Sequence, residues 1–279
     1  MNILNGKTIS EDILLKLKNK ITTFTRPPRL DIILVGNDYA SEKYVALKER
    51  KAKEVGIDVV VHTFEENTQE EEVNNLILQL NDNDSVDGIM VQLPLPQTFN
   101  EDTVVSKISV DKDVDGLTAE SLGRLFRKEE CFTSATPKGI GILLERYGID
   151  VSGKNVVVIG RSKIVGLPAS ALMLSKDATV TVCHPFTSNI QEISKTADIL
   201  IVAVGQANFV TKDFVKEGSV VVDVGFNKDP ESGKTIGDVF FEDVQSLVSY
   251  ITPVPGGVGP MTIASLLDNV VKSYEKRNA

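Results

Sequence analysis

The sequence predicts an α/β protein made of two α/β domains, the second built on a dinucleotide-binding type of sheet. Three observations carry that expectation. Short Val/Ile/Leu runs alternate with stretches of helical spacing along the chain, the pattern of parallel βαβ units. The runs in the second half are nearly continuous in apolar character, as in strands covered on both faces. A turn with glycines at both ends, Gly160-Arg161-Ser162-Lys163-Ile164-Val165-Gly166, stands directly after one such run and before a helical stretch.

Taken in order, Ser10 to Phe24 reads as a helix with Ile13, Leu14, Leu17 and Ile21 on one side and Ser10 as N-cap. Leu30 to Val35 is a buried strand ending at Gly36. A helix follows from about Tyr39 to Val55, closed by Gly56, then a strand through Val59-Val60-Val61. Thr68-Gln69-Glu70-Glu71 reads as a capping box that opens the next helix, and Val86 to Val91 as the strand after it. In the second half, Thr136 can cap and Pro137 can fill the first position of a helix ending at Gly148. Val156 to Ile159, Thr179 to Val182, Ile199 to Val204 and Val220 to Val224 are the strong strands, and the last helix spans about Thr262 to Arg277. That helix could fold back across the first domain.

With 279 residues, 42% of them hydrophobic and 25% charged, the chain has the length and balance of a globular protein of two ordinary domains. It carries no apolar run of the roughly 18 residues that crossing a bilayer takes, and Met1-Asn2-Ile3-Leu4-Asn5-Gly6 lacks the basic start of a secretory signal, so a cytoplasmic protein is expected. Two cysteines, Cys131 and Cys183, have no metal-ligand spacing and suit a reducing compartment, so no metal site is expected. A net charge of −9 argues against a broad nucleic-acid surface but allows a local basic pocket for a small anion.

Five segments could carry chemistry. Tyr44 and Lys48 are four residues apart and share one helix face, where a partly buried lysine can exchange protons near neutrality; on an exposed helix the same spacing is ordinary surface. The strand Val86 to Val91 delivers the neutral amide of Gln92 to its C-terminal end, and Pro94 and Pro96 hold the exit loop; a plain strand terminus reads the same way. In Lys112-Asp113-Val114-Asp115-Gly116 a carboxylate precedes a glycine, suited to paired hydrogen bonds from an amino-heterocycle but also to a simple turn. Gly160 to Gly166 fits a phosphate-binding turn, although Ser162 stands at the position of a middle glycine. No acidic residue follows the strand Thr179 to Cys183, where His184-Pro185-Phe186-Thr187 continues; with Arg161 nearby, this leans toward NADP over NAD. Finally, Pro253-Val254-Pro255-Gly256-Gly257-Val258-Gly259-Pro260-Met261-Thr262 specifies a rigid loop in which bare backbone can lie against a flat ligand.

In combination and in this order, these segments resemble the bifunctional methylenetetrahydrofolate dehydrogenase/cyclohydrolase family over essentially the whole chain, with Gln92-Leu93-Pro94 and Pro255-Gly256-Gly257-Val258-Gly259-Pro260-Met261-Thr262 as its most specific marks. The resemblance implies a folate-binding catalytic domain at residues 1–136, completed by 257–279 of the returning C-terminal helix, and a Rossmann-type NADP-binding domain at 137–256. It implies oxidation of 5,10-methylenetetrahydrofolate to the methenyl form and hydrolysis to 10-formyltetrahydrofolate by a cytoplasmic homodimer that needs neither nucleic acid nor membrane. Lys48 is then the general base, Gln92 tunes it, and Tyr44 packs on the folate. Leu93, Asp115, Pro255, Gly256 and Gly259 complete the folate site, with Asp115 on the pterin's amino-pyrimidine edge. Gly160, Arg161, Ser162, Val165, His184 and Phe226 hold the cofactor.

Three positions depart from the family's usual pattern. Ala135 stands where many members have Cys, Pro185 and Phe186 where a Ser or Arg often meets the 2′-phosphate, and Phe226 where an aliphatic residue is common. Two other readings compete: a single-activity NAD-linked dehydrogenase, against which the intact Tyr44, Lys48 and Gln92 set speaks, and a folate-binding protein without activity.

Overall fold

The computed structural model describes residues 2–230 and 232–278. The chain divides into two compact units, the first comprising 1–11, 125–129 and 136–262, the second 12–124, 130–135 and 263–279. The elements run β1 (Asn2–Ile3), α1 (Gly6–Ile21), β2 (Arg29–Val35), α2 (Tyr39–Val55), β3 (Asp58–Phe64), α3 (Glu70–Asp82), β4 (Gly88–Val91), α4 (Glu101–Val105), α5 (Ala119–Phe126) and α6 (Ala135–Arg146). There follow β5 (Asn155–Ile159), α7 (Gly166–Ser175), β6 (Thr179–Cys183), α8 (Ile190–Ser194), β7 (Ile199–Val202), β8 (Val220–Asp223), the short pair β9 (Asn227–Lys228) and β10 (Thr235–Ile236), α9 (Phe241–Val244), β11 (Tyr250–Ile251) and α10 (Val258–Arg277).

In the unit that holds residues 12–124, β2 lies between β3 and β4 with both neighbours parallel, Leu30 facing Val59 on one side and Gly88 on the other. Its strands read as apolar because both faces are covered. On one, Leu30, Ile32 and Leu34 pack with Val45, Ala52 and Val55 of α2 and with Leu266, Leu267, Val270 and Val271 of α10; on the other, Ile33 and Val35 pack with Val73 and Ile77 of α3. The C-terminal helix thus completes this core, as expected. Ser273 and Asn269 add polar anchors, Ser273 Oγ donating to the Asp87 and Asp111 carbonyls and Asn269 Nδ2 to the Val114 carbonyl at 2.8 Å.

The other unit contains a parallel sheet in the order β1-β11-β8-β7-β5-β6, an alternation of strand and helix that matches the expected dinucleotide-binding architecture. Its first strand is the chain's own N-terminus, too short at two residues for periodicity to reveal.

Helix starts differ from the expectation in detail. α1 begins at Gly6, one turn before Ser10, because Asn5 Oδ1 accepts from Thr8 N at 3.2 Å; Ser10 lies inside the helix and donates to the Lys7 carbonyl. The capping box at Thr68 does not form. Gln69 takes the N-cap without a side-chain bond, and the neighbouring Glu70 carboxylate accepts from Asn100 N at 2.7 Å. α6 already includes Thr136 and Pro137, and the Thr136 hydroxyl bonds that of Thr262 at 2.9 Å. α10 begins at Val258, so Gly259 and Pro260 belong to its first turn rather than to the loop; proline is tolerated there because the first turn's N–H groups have no intrahelical acceptor.

Candidate active site

The chain leaves β2 through α2 to reach β3 on one side, then crosses through α3 to β4 on the other, so the carboxyl ends of β2 and β4 flank a reversal of strand order. Open α/β sheets bind ligands at such points. Gly36, with φ of 81°, turns the chain out of β2, and Asp38 caps α2 by accepting from Ser41 N at 2.8 Å, which fixes the start of the helix that carries Tyr44 and Lys48.

Lys48 Nζ reaches the end of β4. It donates to Gln92 Oε1 at 2.9 Å and stands 3.9 Å from the Met90 sulfur. The Gln92 side-chain NH₂ in turn donates to the Leu93 carbonyl at 2.7 Å, which leaves only the amide oxygen facing the lysine. The two residues singled out forty-four positions apart are therefore one hydrogen-bonded pair. Burial pushes the Lys48 pKa below its ordinary value, with the charge of Asp115 opposing that fall. For Asp115 burial pushes the pKa up, Lys48 pulls it down and Asp113 adds to the rise. An amine whose pKa is lowered beside a carboxylate whose pKa is raised can hold and pass a proton between them. The Tyr44 phenol, half-buried one helical turn before Lys48, is held protonated by burial.

The loop bearing Asp115 lies against β4. Ile89 N donates to the Lys112 carbonyl at 2.8 Å, and a Cβ on Gly88 would stand 2.7 Å from a Val114 methyl, so the strand needs glycine there. Lys112 and Asp113 are consumed by structure. The buried Lys112 ammonium donates to the carbonyls of Leu80, Asn81 and Asn83, closing the end of α3, and the Asp113 carboxylate accepts from Leu117 N, Thr118 N and Ser121 Oγ. Asp115, by contrast, takes no hydrogen bond from any described residue. Gly116, at φ of 64°, has the Phe132 carbonyl oxygen 2.5 Å from where a Cβ would be, which fixes the turn after the carboxylate.

The remaining expected residues belong to the other unit. Pro255 is exposed, and Gly256, at φ of 108°, accepts from Lys7 N at 3.0 Å through its carbonyl. The Gly257 carbonyl oxygen lies 1.9 Å from a Cβ position on Gly6, so the loop is pressed onto the start of α1. Gly259 is exposed in the first turn of α10.

In that unit's sheet, β5 and β7 flank the strand-order reversal, and Gly160 ends β5 at φ of 125° with the Ala203 carbonyl oxygen 2.2 Å from a would-be Cβ. Gly166 is held as tightly against the Gly160 carbonyl. Between them Arg161, Ser162, Lys163 and Ile164 are exposed. Ser162 Oγ accepts from Val165 N at 3.1 Å and from Gly166 N at 3.4 Å, so the serine closes the turn that opens α7. His184 N donates to Thr187 Oγ1 at 2.9 Å in the turn after β6, and Phe226 projects as an exposed side chain after β8. A cradle of two glycines too crowded for any Cβ, an exposed basic loop and no carboxylate after β6 fit an anionic dinucleotide.

A model of the tetrahydrofolate dehydrogenase/cyclohydrolase catalytic domain matches residues 4–115, and a model of the NAD(P)-binding domain of the same enzymes matches residues 134–278. The chain belongs to the tetrahydrofolate dehydrogenase/cyclohydrolase family. It is 49% identical over 280 residues to the bifunctional protein FolD of Campylobacter hominis, covering 99% of this chain and 98% of that protein, and 48% identical over 282 residues to that of Aquifex aeolicus, covering 99% and 96%. The crystal structure of the bifunctional FolD of Campylobacter jejuni superposes with a TM-score of 0.97 at 46% identity over 99% of each chain. The Trypanosoma brucei dehydrogenase-cyclohydrolase, solved in complex with NADP cofactor and an inhibitor, matches at a TM-score of 0.93 and 33% identity over 98% of this chain and 97% of that one. As a tetrahydrofolate dehydrogenase/cyclohydrolase, the enzyme joins hydride transfer and hydrolysis on one substrate class with an NAD(P)-type cofactor.

Sequence reasoning missed the groups that frame the cofactor loops. Asp223 ends β8 and accepts from Gly225 N, Asp238 N and Val239 N, while Asp238 accepts from Val204 N at 2.7 Å and Gly205 N at 2.9 Å. Two buried carboxylates thereby tie the exit of β7 to the exit of β8. The available signal was an Asp at a strand end (Asp223) and an Asp after a glycine (Asp238), neither of which sets a residue apart by itself.

Proposed function

We propose that the enzyme oxidises 5,10-methylenetetrahydrofolate to 5,10-methenyltetrahydrofolate with NADP and hydrolyses the product to 10-formyltetrahydrofolate at the same folate site. The observation that carries this reading is the bond between Lys48 Nζ and Gln92 Oε1 at a strand-order reversal, next to an Asp115 carboxylate free to meet a ligand. Residues 1–136 with 257–279 are assigned to folate binding and 137–256 to the cofactor, the latter through Gly160, Arg161, Ser162, Val165, His184 and Phe226.

Bound NADP supplies the acceptor for the hydride. The chain's own work in that step is positioning, which in favourable intramolecular reactions contributes about 7–11 kcal/mol. Asp115 grips the amino-pyrimidine edge of the pterin, Tyr44 packs on and orients the folate, and Leu93 bounds the ring beside them. Hydride loss leaves a cation, so the site carries a neutral amide and an amine with a lowered pKa beside it. In the hydrolytic step Lys48 Nζ takes a proton from the water that adds to the methenyl carbon. The resulting hydroxyl-bearing carbon then collapses to the N10-formyl group as its bond to N5 breaks, the hydroxyl proton ending on N5, and the proton held by Lys48 leaves to solvent. Gln92 Oε1 holds the amine in place throughout.

A second copy of the chain is the proposed partner. β3 is an edge strand with Val59, Val60 and Val61 half-buried, an apolar edge of the kind that pairing protects. Nucleic acid and membrane are not proposed partners, given the net charge of −9 and no described helix long and apolar enough to cross a bilayer. A reducing cytoplasmic setting agrees with free Cys131 and Cys183.

The deciding experiment is Lys48→Met. It should abolish conversion of methenyl- to 10-formyltetrahydrofolate, a loss of about 10²–10⁴-fold or more, while folate still binds. Hydrolysis at the wild-type rate overturns the assignment.

A further inference from the structure

Arg161 stands in the turn after β5, and its guanidinium carbon lies 5.9 Å from the centroid of the Phe186 ring. Phe186 is 81% exposed, an unusual setting for so large an apolar side chain, and it stands in the turn after β6. The Thr187 hydroxyl oxygen and His184 Nδ1 already accept bonds from within that turn. Thr187 Oγ1 accepts from His184 N at 2.9 Å, Thr187 N donates to the His184 carbonyl at 2.8 Å, and His184 Nδ1 accepts from Phe186 N at 3.2 Å. Pro185 offers no donor. The His184 and Phe186 rings meet edge to face, with centroids 6.1 Å apart, so the phenyl ring has a braced orientation despite its exposure.

A ring face orients a guanidinium without occupying any of its five N–H groups, whereas a carboxylate partner would occupy two. No described carboxylate forms a salt bridge with Arg161. The arginine is thus held in direction while its donors stay available to an anion. We propose that Phe186 is a positioning residue for cofactor choice: it presents Arg161 to the 2′-phosphate of NADP in place of a second polar contact from the turn after β6. This rests on the NADP reading above.

The test uses direct binding to the full-length protein, by calorimetry at low salt, of two probes that differ only in the phosphate at issue: adenosine 2′,5′-bisphosphate and adenosine 5′-monophosphate. The wild-type protein should bind the bisphosphate more tightly. Phe186→Leu, at so exposed a position, should weaken the bisphosphate by about 2- to 5-fold, the range for an exposed cation–π contact, and leave the monophosphate unchanged; Phe186→Tyr should restore it. In an Arg161→Ala background Phe186→Leu should have no further effect on the bisphosphate. Equal weakening of both probes would mean that the ring stacks on adenine, and additive losses in the double variant would mean that it acts apart from Arg161. Either result overturns the proposal while sparing NADP preference. A wild-type protein that does not distinguish the probes removes the NADP reading and this proposal together.

Discussion

Asp113 and Asp115, two positions apart on one loop, have opposite fates: the first is fully buried with its carboxylate bonded to Leu117 N, Thr118 N and Ser121 Oγ, and the second takes no hydrogen bond from any described residue and faces Lys48 electrostatically. One carboxylate builds the loop and the other is left for a ligand.

Substitution should separate them. Asp115→Ala should weaken folate binding by about 1.5–3 kcal/mol, the range for a hydrogen bond to a charged group, with both activities impaired and thermal stability nearly kept. Asp113→Ala should instead lower the melting temperature, since it strands Leu117 N and the buried donors Thr118 N and Ser121 Oγ. Folate titration and a thermal melt on each variant decide the matter, and a reversed pattern would show that the two roles have been exchanged.

Lys48 has a pKa lowered by burial and raised by Asp115, and a base works in its neutral form. Enzymatic hydrolysis of the methenyl substrate, after subtraction of the uncatalysed rate, should therefore rise with pH and level off below the ordinary lysine value. Asp115→Asn removes the charge that favours the ammonium, so the rising limb at saturating substrate should move to lower pH. A limb that stays fixed or moves upward contradicts coupling between the two groups.

Lys112, despite lying beside the ligand-facing segment, closes α3 through three carbonyls. Lys112→Met should cost on the order of 1–3 kcal/mol of stability by leaving those carbonyls unpaired, with kcat and the folate KM unchanged in the protein that remains folded. Denaturant melts beside steady-state kinetics test this; a raised folate KM at undiminished stability would place Lys112 in the site.

Asp223 carries a pKa pushed up to about 6 by burial, against three backbone donors that pull it down. The folded protein therefore holds a proton there between the ordinary carboxylate pKa and about 6, while the unfolded chain does not. Stability from this group is complete below the unfolded value and is lost as pH rises through the folded one, roughly 3 kcal/mol for a shift of about two units. Asp223→Asn should flatten the decline of unfolding free energy between pH 4 and 6, whatever its effect on the overall level. An unchanged slope would mean that Asp223 is ionised throughout that window.

The strands were legible because both faces of each parallel strand are covered, so β2, β5, β7 and β8 had to be runs of Val, Ile and Leu. Gly56 and Gly148 were legible as helix ends because both take a left-handed conformation that other residues resist. Tyr44, Lys48, Gln92 and Asp115 could be named because their order along the chain matches one family, and the spacing of Tyr44 and Lys48 alone fixed a shared helix face. Only the folded chain decided the rest. The displacement of Ser10 is local, since Asn5 caps α1 through Thr8 N three residues away, whereas at the start of α3 Gln69 rather than Thr68 takes the N-cap, and Glu70 accepts from Asn100 N thirty residues on. The same holds for the site: that Lys48 bonds Gln92, that Asp113 is spent while Asp115 is not, and that Phe186 underlies Arg161 are facts of three-dimensional neighbours. Hydrogen bonds and desolvation depend on distances of a few ångströms between segments far apart in sequence, and no local pattern of residue types encodes those distances.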